Sequence, residues 1–279
     1  MKKAVVTGVS WTTGLGFAIT KQLIEDGYFV YAIYHSDDSD AKVVIENEYK
    51  GFAIALQCDL ADRTQINELI VKLKNEKIDV LVNNAGAFGG GEDINNFDFD
   101  TWDNIFAVNV TAPLMLSVGM KSCFNKGAVI INMVSTDGMK GSFSSMAYAA
   151  SKAALINLTD SLAINMGYDD KKIRVTAVCP GWAKTFDETD PNSSEMVPYI
   201  SRSTGKQLCP LGRFAEPFEI ANVVSFLVSD KASFISGGFV PVHGGYNGVA
   251  FDMYVESGRA FDGYHPDEAI EIEKRKYNI

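Results

Sequence analysis

Short apolar runs alternate with helix-period segments along most of this 279-residue chain, and that alternation constrains the fold more than any other feature. Ala4–Thr7, Tyr28–Tyr34, Phe52–Gln57, Asp79–Val82, Ala128–Val134, Arg174–Val178 and Phe239–Val242 read as strands. Between them, Leu15–Glu25, Ile66–Leu73, Trp102–Ser122, Tyr148–Asn165 and Pro217–Val228 read as helices, with apolar residues three or four positions apart. Strands alternating with helices predict a parallel sheet covered on both faces. The expected fold is α/β, a Rossmann-like doubly wound parallel sheet in three α/β/α layers, forming a single domain over residues 1–247. Such sheets take ligands at the carboxyl ends of their strands, near the point where strand order reverses. Two stretches depart from the alternation. Residues 186–207 are polar, with Pro191 and Pro198, and are expected to be a substrate lid. Residues 248–279 form a C-terminal extension, in which Pro266–Lys276 reads as a helix whose acidic start and basic end suit its dipole.

Composition excludes several classes. The chain is 47% hydrophobic and 22% charged, as expected of a folded globule. No apolar run reaches the roughly 18 residues that span a bilayer. The apolar stretch after Met1-Lys2-Lys3 is too short for a signal peptide and fits a strand running into glycine, so no membrane association and a cytoplasmic location are expected. A net charge of −10 with no visible basic face argues against nucleic-acid binding. The cysteines at 58, 123, 179 and 209 form no CxxC pair and have no His at metal-ligand spacing. They are expected reduced and mostly buried, and no metal is expected.

Two local patterns carry chemistry. Thr7-Gly8 ends the first strand, and Gly14-Leu15-Gly16 opens the first helix. Glycines there let the backbone turn sharply and approach a pyrophosphate, while the helix N-terminus offers free N–H groups and partial positive charge. Tyr148 and Lys152 are four apart on a helix and share one face. An ammonium beside a phenol favours the phenolate, which suits the phenol to proton exchange with a developing alkoxide. Ser135 ends one strand, Asn83-Asn84-Ala85-Gly86 ends the strand before it and Pro180-Gly181 the strand after it. Three strands thus deliver polar or special-backbone residues to one edge, beside the glycine loop.

These motifs together are similar to those of the short-chain dehydrogenase/reductase family, in its compact Tyr-x-x-x-Lys branch. The resemblance runs from Lys3 to about Tyr246, through Thr7-Gly8, Gly14-Leu15-Gly16, Asp59-Leu60, Asn83 to Gly86, Asn109, Ser135, Tyr148, Lys152 and Pro180 to Thr185. It implies an NAD(P)-dependent oxidoreductase that moves a hydride between a nicotinamide and a ketone or secondary alcohol. Tyr148 would be the general acid/base, Lys152 would lower its pKa and hold the nicotinamide ribose, and Ser135 would hold the substrate oxygen. Asn109 would hold a water linking Lys152 to a proton relay. Asp59, with Leu60, would contact the adenine, and Asn83, Ala85 and Gly86 would line the adenosine side. Pro180, Gly181, Ala183 and Thr185 would grip the carboxamide, while Gly8, Ser10, Trp11, Gly14, Leu15 and Gly16 would surround the phosphates.

The chain also departs from the family pattern. Five residues, not three, separate Gly8 from Gly14. That length resembles the enoyl reductases of the same superfamily, but those place the tyrosine seven residues before the lysine, where this chain has Ser145. Reduction of C=C stays as the alternative to C=O. At the end of the second strand, where NAD-preferring members carry an acid, the chain reads Tyr34-His35-Ser36. No Arg is present for a 2′-phosphate either. His35 and Ser36 could bind that phosphate and Asp37 and Asp38 would repel it, so the reading leans to NADP over NAD. The Asp-Gly-Gly of the family is His243-Gly244-Gly245 here, expected to be structural.

The substrate pocket is expected to include Ser135, Phe143, Tyr148, Trp182 and Phe186, with Phe88, Met139 and Met146 nearby. That set suits a hydrophobic or cyclic small-molecule ketone or alcohol. The acidic chain argues against an acyl-carrier-protein partner, which needs a basic docking face. A non-catalytic dinucleotide sensor is a third reading, opposed by the presence of Asn109, Ser135, Tyr148 and Lys152 together. The resemblance implies a homodimer or homotetramer packed through the helices at Trp102–Ser122 and Tyr148–Asn165.

Overall fold

The computed structural model describes residues 1–89, 95, 97–142, 145–185 and 209–246. Seven strands form one wholly parallel sheet: β1 (Lys2–Thr7), β2 (Tyr28–Tyr34), β3 (Ala53–Gln57), β4 (Ile78–Asn83), β5 (Phe124–Met133), β6 (Arg174–Pro180) and β7 (Phe239–Val242). Their order across the sheet is β3-β2-β1-β4-β5-β6-β7, so the chain winds outward in both directions from the β1/β4 seam. This is the expected doubly wound α/β fold.

The helices are α1 (Leu15–Glu25), α2 (Asp40–Glu48), α3 (Arg63–Leu73), α4 (Phe99–Phe106), α5 (Ala112–Gly119), α6 (Met146–Tyr168) and α7 (Pro217–Val228). Each strand sends alternate side chains to opposite faces of the sheet. Val30, Val80 and Ile131 therefore pack with Ile19 and Leu23 of α1 and with Val224 and Leu227 of α7. Leu81, Ile130 and Val175 meet Leu69 of α3, Leu116 of α5 and Leu162 of α6 on the other face. Two cores on one sheet make the three layers.

Two elements differ from expectation. Helix α2 was not anticipated, because its exposed face is mostly charged and its apolar stripe is thin. Its signal was the Ser39 cap, whose side chain accepts from the Lys42 amide (3.1 Å), followed by Ala41 and Ile45 one turn apart and buried. The helix expected over Trp102–Ser122 is interrupted by a π turn at Ala107–Thr111 and ends at Gly119. Pro113 explains the break: it has no N–H for the carbonyl four residues back, that of Asn109. The Ala112 amide accordingly reaches back five residues to Ala107. The expected lid 186–207, the extension 248–279, and Phe143 and Phe186 lie outside the described residues. Among the described residues no helix is long and apolar enough to cross a membrane.

A polar chain runs through the apolar interior and joins three elements. Asn83 Nδ2 at the end of β4 donates to Asn132 Oδ1 on β5 (2.8 Å), and Asn132 Nδ2 donates to Thr159 Oγ1 on α6 (2.9 Å). Thr159 Oγ1 in turn donates to the Leu155 carbonyl (2.8 Å). All three side chains are buried. Buried amides cost free energy unless paired, so this chain fixes the register of α6 on β4 and β5. Asn132→Ala should lower the unfolding free energy by about 1–3 kcal/mol, since it removes the acceptor of the buried Asn83 amide and the bond that Thr159 Oγ1 accepts. Urea unfolding of the two proteins checks this; an unchanged midpoint would show that the chain carries no stability.

Candidate active site

The site begins at the β1/β4 seam. Thr7 Oγ1 accepts from the amides of Asn84 and Ala85 (3.0 Å each), and Asn84 Nδ2 donates back to the carbonyls of Thr7 (2.8 Å) and Gly8 (3.2 Å). The two strand ends are thereby tied side by side. Gly8 has φ +73°, and a Cβ there would lie 2.7 Å from Ala85 Cα. Only glycine satisfies both the left-handed backbone and the close approach. Above the seam opens a cleft of about 620 Å³.

Most residues expected around a dinucleotide line this cleft. Gly8, Ser10, Trp11, Leu15 and Gly16 form its floor beneath the α1 N-terminus, whose first turn carries no acid. Tyr34, His35 and Ser36 form one wall with Asp59 and Leu60, and Ala85 and Gly86 form the other. Gly14 acts through the backbone: it is the N-cap of α1, and its amide donates to the Trp11 carbonyl (3.0 Å), which closes the loop. The two extra loop residues lean on α2. Thr12 donates through its amide (2.9 Å) and hydroxyl (2.6 Å) to the Asp40 carboxylate, and Ser39 Oγ donates to the Ser10 carbonyl (2.7 Å). A longer glycine loop and an unanticipated helix thus form one unit.

Asn83 is a correction. Its side chain points into the core toward Asn132 and Ser117, because successive strand residues face opposite sides of the sheet. Its neighbour Asn84 lines the cleft instead, with Ala87, Asn104 and Val108. The spacing of the motif could not distinguish Asn83 from Asn84. Pro180, Gly181, Ala183 and Thr185 are not among the residues lining this cleft. Pro180 ends β6, and the Gly181 amide donates to the Val242 carbonyl (3.1 Å). Ala183 bridges to Ala215, and the Thr185 amide donates to the Ala183 carbonyl (3.0 Å). Trp182 stacks on Phe214 at 5.7 Å and lines a separate cavity of about 160 Å³ with Arg213, Glu219 and His243.

The chemical end lies where β5 gives way to α6. Ser135 caps the short 3-10 turn Thr136–Met139, accepting the Asp137 amide on its Oγ (3.1 Å), and its hydroxyl faces the Tyr148 phenol. Tyr148 and Lys152 occupy the first turns of α6. Lys152 is 3% exposed; its Nζ donates to the Met133 carbonyl (2.9 Å) and lies 5.5 Å from the Tyr148 ring centre. Asn109, fully buried in the π turn, clamps the chain after β4. Its Oδ1 accepts the Ala87 amide (2.7 Å), and its Nδ2 donates to the Ala87 carbonyl and to Ser151 Oγ (2.9 Å each). A Cβ at Gly86 would stand 3.6 Å from both Asn109 Oδ1 and Lys152 Nζ, so that glycine keeps open the space they share.

Burial dominates the electrostatics here. It pushes the Tyr148 phenol up to about 12, with Ser135 pulling it down and the charges of Asp137 and Cys179 adding to the rise. It pushes the Lys152 ammonium down to about 8. A phenol pKa lowered by Lys152 was expected; instead burial, the largest influence, raises it. Tyr148 stands protonated at neutral pH, ready to donate. Phe88 meets it edge-on at 5.0 Å. The four cysteines are free, and among the described residues no cluster of His, Cys, Asp and Glu could hold a metal.

A family model described as "Enoyl-(Acyl carrier protein) reductase" matches residues 8–247. The chain is 32% identical to the meso-2,3-butanediol dehydrogenase of Serratia marcescens over 247 residues, 88% of this chain and 94% of that protein. Among solved structures, a short-chain dehydrogenase/reductase from Serratia marcescens superposes with a TM-score of 0.76 at 31% identity, covering 88% of this chain and 98% of that one. The angucycline C-6 ketoreductase LanV with bound NADP superposes equally well, at 0.76 and 30% identity, over 88% of this chain and 95% of that one.

Substituting Gly8→Ala should cost about 1–3 kcal/mol, because a left-handed backbone and a backbone clash coincide there. Chemical unfolding measures the loss; a variant as stable as the parent would mean the seam can open freely.

Proposed function

The chain belongs to the short-chain dehydrogenase/reductase family, and from that premise we propose that it reduces a ketone, or oxidises a secondary alcohol, with NAD(P) and with Tyr148 as general acid/base. One observation carries the reading. A protonated phenol, a buried ammonium and a serine hydroxyl converge at the carboxyl end of β5, beside a cleft shaped for a dinucleotide.

The residues fit that cofactor. Gly8 and Gly16 admit a pyrophosphate to the bare amides of the α1 N-terminus, and the cleft is long enough to run from the Tyr34 wall to Gly86. When bound, the nicotinamide supplies the hydride. Ser135 orients the substrate oxygen, and Tyr148 releases its proton to that oxygen as negative charge develops. The Lys152 ammonium stabilises the phenolate left behind and donates to the ribose. Asn109 holds the backbone around Ala87 and anchors a water that passes protons toward Lys152. Pro180, Gly181, Ala183 and Thr185 hold the carboxamide end, and Trp182 and Phe186 belong to the substrate side with Phe143.

Preference for NADP over NAD rests on the wall beyond β2. Asp37, one of the two acids that would repel a 2′-phosphate, accepts a hydrogen bond from Gln57 Nε2 (2.7 Å), while Ser10, His35 and Ser36 line the cleft. A cytoplasmic location and a homodimer or homotetramer packed through α4–α5 and α6 complete the proposal. Val118 of α5 and Ile164 and Tyr168 of α6 are exposed apolar residues on those helices. C=C reduction is the alternative that the name of the matching family model favours. It is opposed at Ser145, which is buried and stands where enoyl reductases carry their tyrosine.

Tyr148→Phe should bind nicotinamide as the parent does and lose at least ~10²-fold in ketone reduction, followed by absorbance at the nicotinamide band. Near-parental turnover would remove Tyr148 from the acid role, and enone-only turnover by the parent would replace C=O with C=C. The pH profile has a definite sign. Lys152, held down to about 8, is charged below that pH and neutral above it, while Tyr148, pushed up to about 12, stays protonated throughout. The kcat/KM of reduction should hold at neutral pH and fall as pH rises through about 8. A profile flat to well above that value would show that the ammonium is not required.

A further inference from the structure

The lengthened glycine loop carries an indole into the cleft. Trp11 is 48% exposed and lines the cleft with Ser10, Tyr34 and Asp59. Among the described residues no other aromatic ring meets it. Its backbone, by contrast, is held from both sides by two consecutive residues at the start of α2. Ser39 Oγ donates to the carbonyl of Ser10, before Trp11 (2.7 Å). Asp40 takes Thr12, after Trp11: one carboxylate oxygen accepts the Thr12 amide (2.9 Å) and the other its hydroxyl (2.6 Å). The Trp11 carbonyl accepts the Gly14 amide (3.0 Å), and Ser10 Oγ accepts the His35 amide (3.2 Å). The side chain is open to the cleft while the chain that bears it is fixed.

The helix does not need Asp40 for its cap. Ser39 is buried and already accepts the Lys42 amide (3.1 Å). The charge of Asp40 suits the start of a helix dipole, yet both of its oxygens are turned to Thr12. An acid that touches a loop facing phosphates also repels them. What it returns is the position of the loop. Two extra residues give a glycine loop more conformations, and ordering them at binding costs conformational entropy.

We propose that Asp40 is a positioning residue for the cofactor: by fixing Thr12 while Ser39 fixes Ser10, it holds Trp11 at the cleft as a preformed contact for the bound dinucleotide. This rests on the NAD(P)-dependent reading and adds to it a residue that does not itself line the cleft. A loop ordered beforehand lowers Kd for the nucleotide and takes no part in the chemical step.

Titration with NADH and with NADPH tests it, read by calorimetry and by energy transfer from tryptophan to the dihydronicotinamide. Asp40→Ala should raise Kd for both nucleotides roughly 10-fold, the entropy of about one residue ordered at binding, even though it removes a negative charge beside the phosphates. Thr12→Val breaks the hydroxyl half of the tie from the loop side and should raise Kd several-fold; it carries the test if the alanine variant fails to fold. Asp40→Asn, which keeps an acceptor for the Thr12 amide, should recover most of the affinity. In turnover the loss should fall on KM for the nucleotide and not on kcat. In a Trp11→Ala background, Asp40→Ala should cost under about twofold, because the residue it positions is gone. Parental Kd in both Asp40→Ala and Thr12→Val, or a loss that persists in full without Trp11, overturns the assignment of Asp40 and leaves the NAD(P)-dependent reading standing. A parent that binds neither nucleotide overturns that reading, and this one with it.

Discussion

The seam between β1 and β4 is the contact on which the rest depends. Strand order reverses there, so the connections leaving the two strands run to opposite faces of the sheet and a cleft must open above them. The tie across it is small: one threonine hydroxyl accepting two amides, one asparagine amide answering two carbonyls, and a glycine that leaves room for Ala85. The glycine loop is aimed into the cleft from one side and the Ala85–Ala87 segment from the other. The same segment is gripped by Asn109, so the seam also fixes the π turn against α6. Cofactor floor and catalytic helix are thus referenced to one point.

Desolvation, more than charge pairing, sets the state of the reacting groups. Tyr148 and Lys152 lie close together, yet burial pushes each toward neutrality, the phenol up and the ammonium down. A phenol that keeps its proton is a better donor to an alkoxide than a phenolate, and an ammonium poised near 8 responds to any negative charge placed beside it. The polar chain Asn83–Asn132–Thr159 works one layer below, in the core. It does not touch the cleft. It keeps β4, β5 and α6 in the register that brings their ends together.

Much of this was legible in the residues. Period-two and period-3.6 apolar patterns located all seven strands and most helices, because burial on a sheet face or a helix stripe imposes those periods. Tyr148, Lys152 and Ser135 were singled out by spacing and strand position, and Asn109 through the resemblance to the family. What escaped has physical reasons. Helix α2 is mostly solvent-facing and so has little apolar signature. The π turn follows from Pro113 lacking an N–H opposite Asn109, a signal present in the sequence but easily read as an ordinary proline in a first turn.

The sequence by itself determined the fold class and the parallel winding, which follow from local periodicity, and through its resemblance to a known family it pointed to the chemical groups. Tertiary structure alone decided which of two adjacent asparagines turns to the cleft and which to the core, as strand alternation becomes definite only once the sheet's faces are assigned. It also decided that the glycine loop leans on α2 and that burial raises the phenol. Each of these depends on what approaches from distant parts of the chain and on how much water is left between, and neither quantity is written in local sequence.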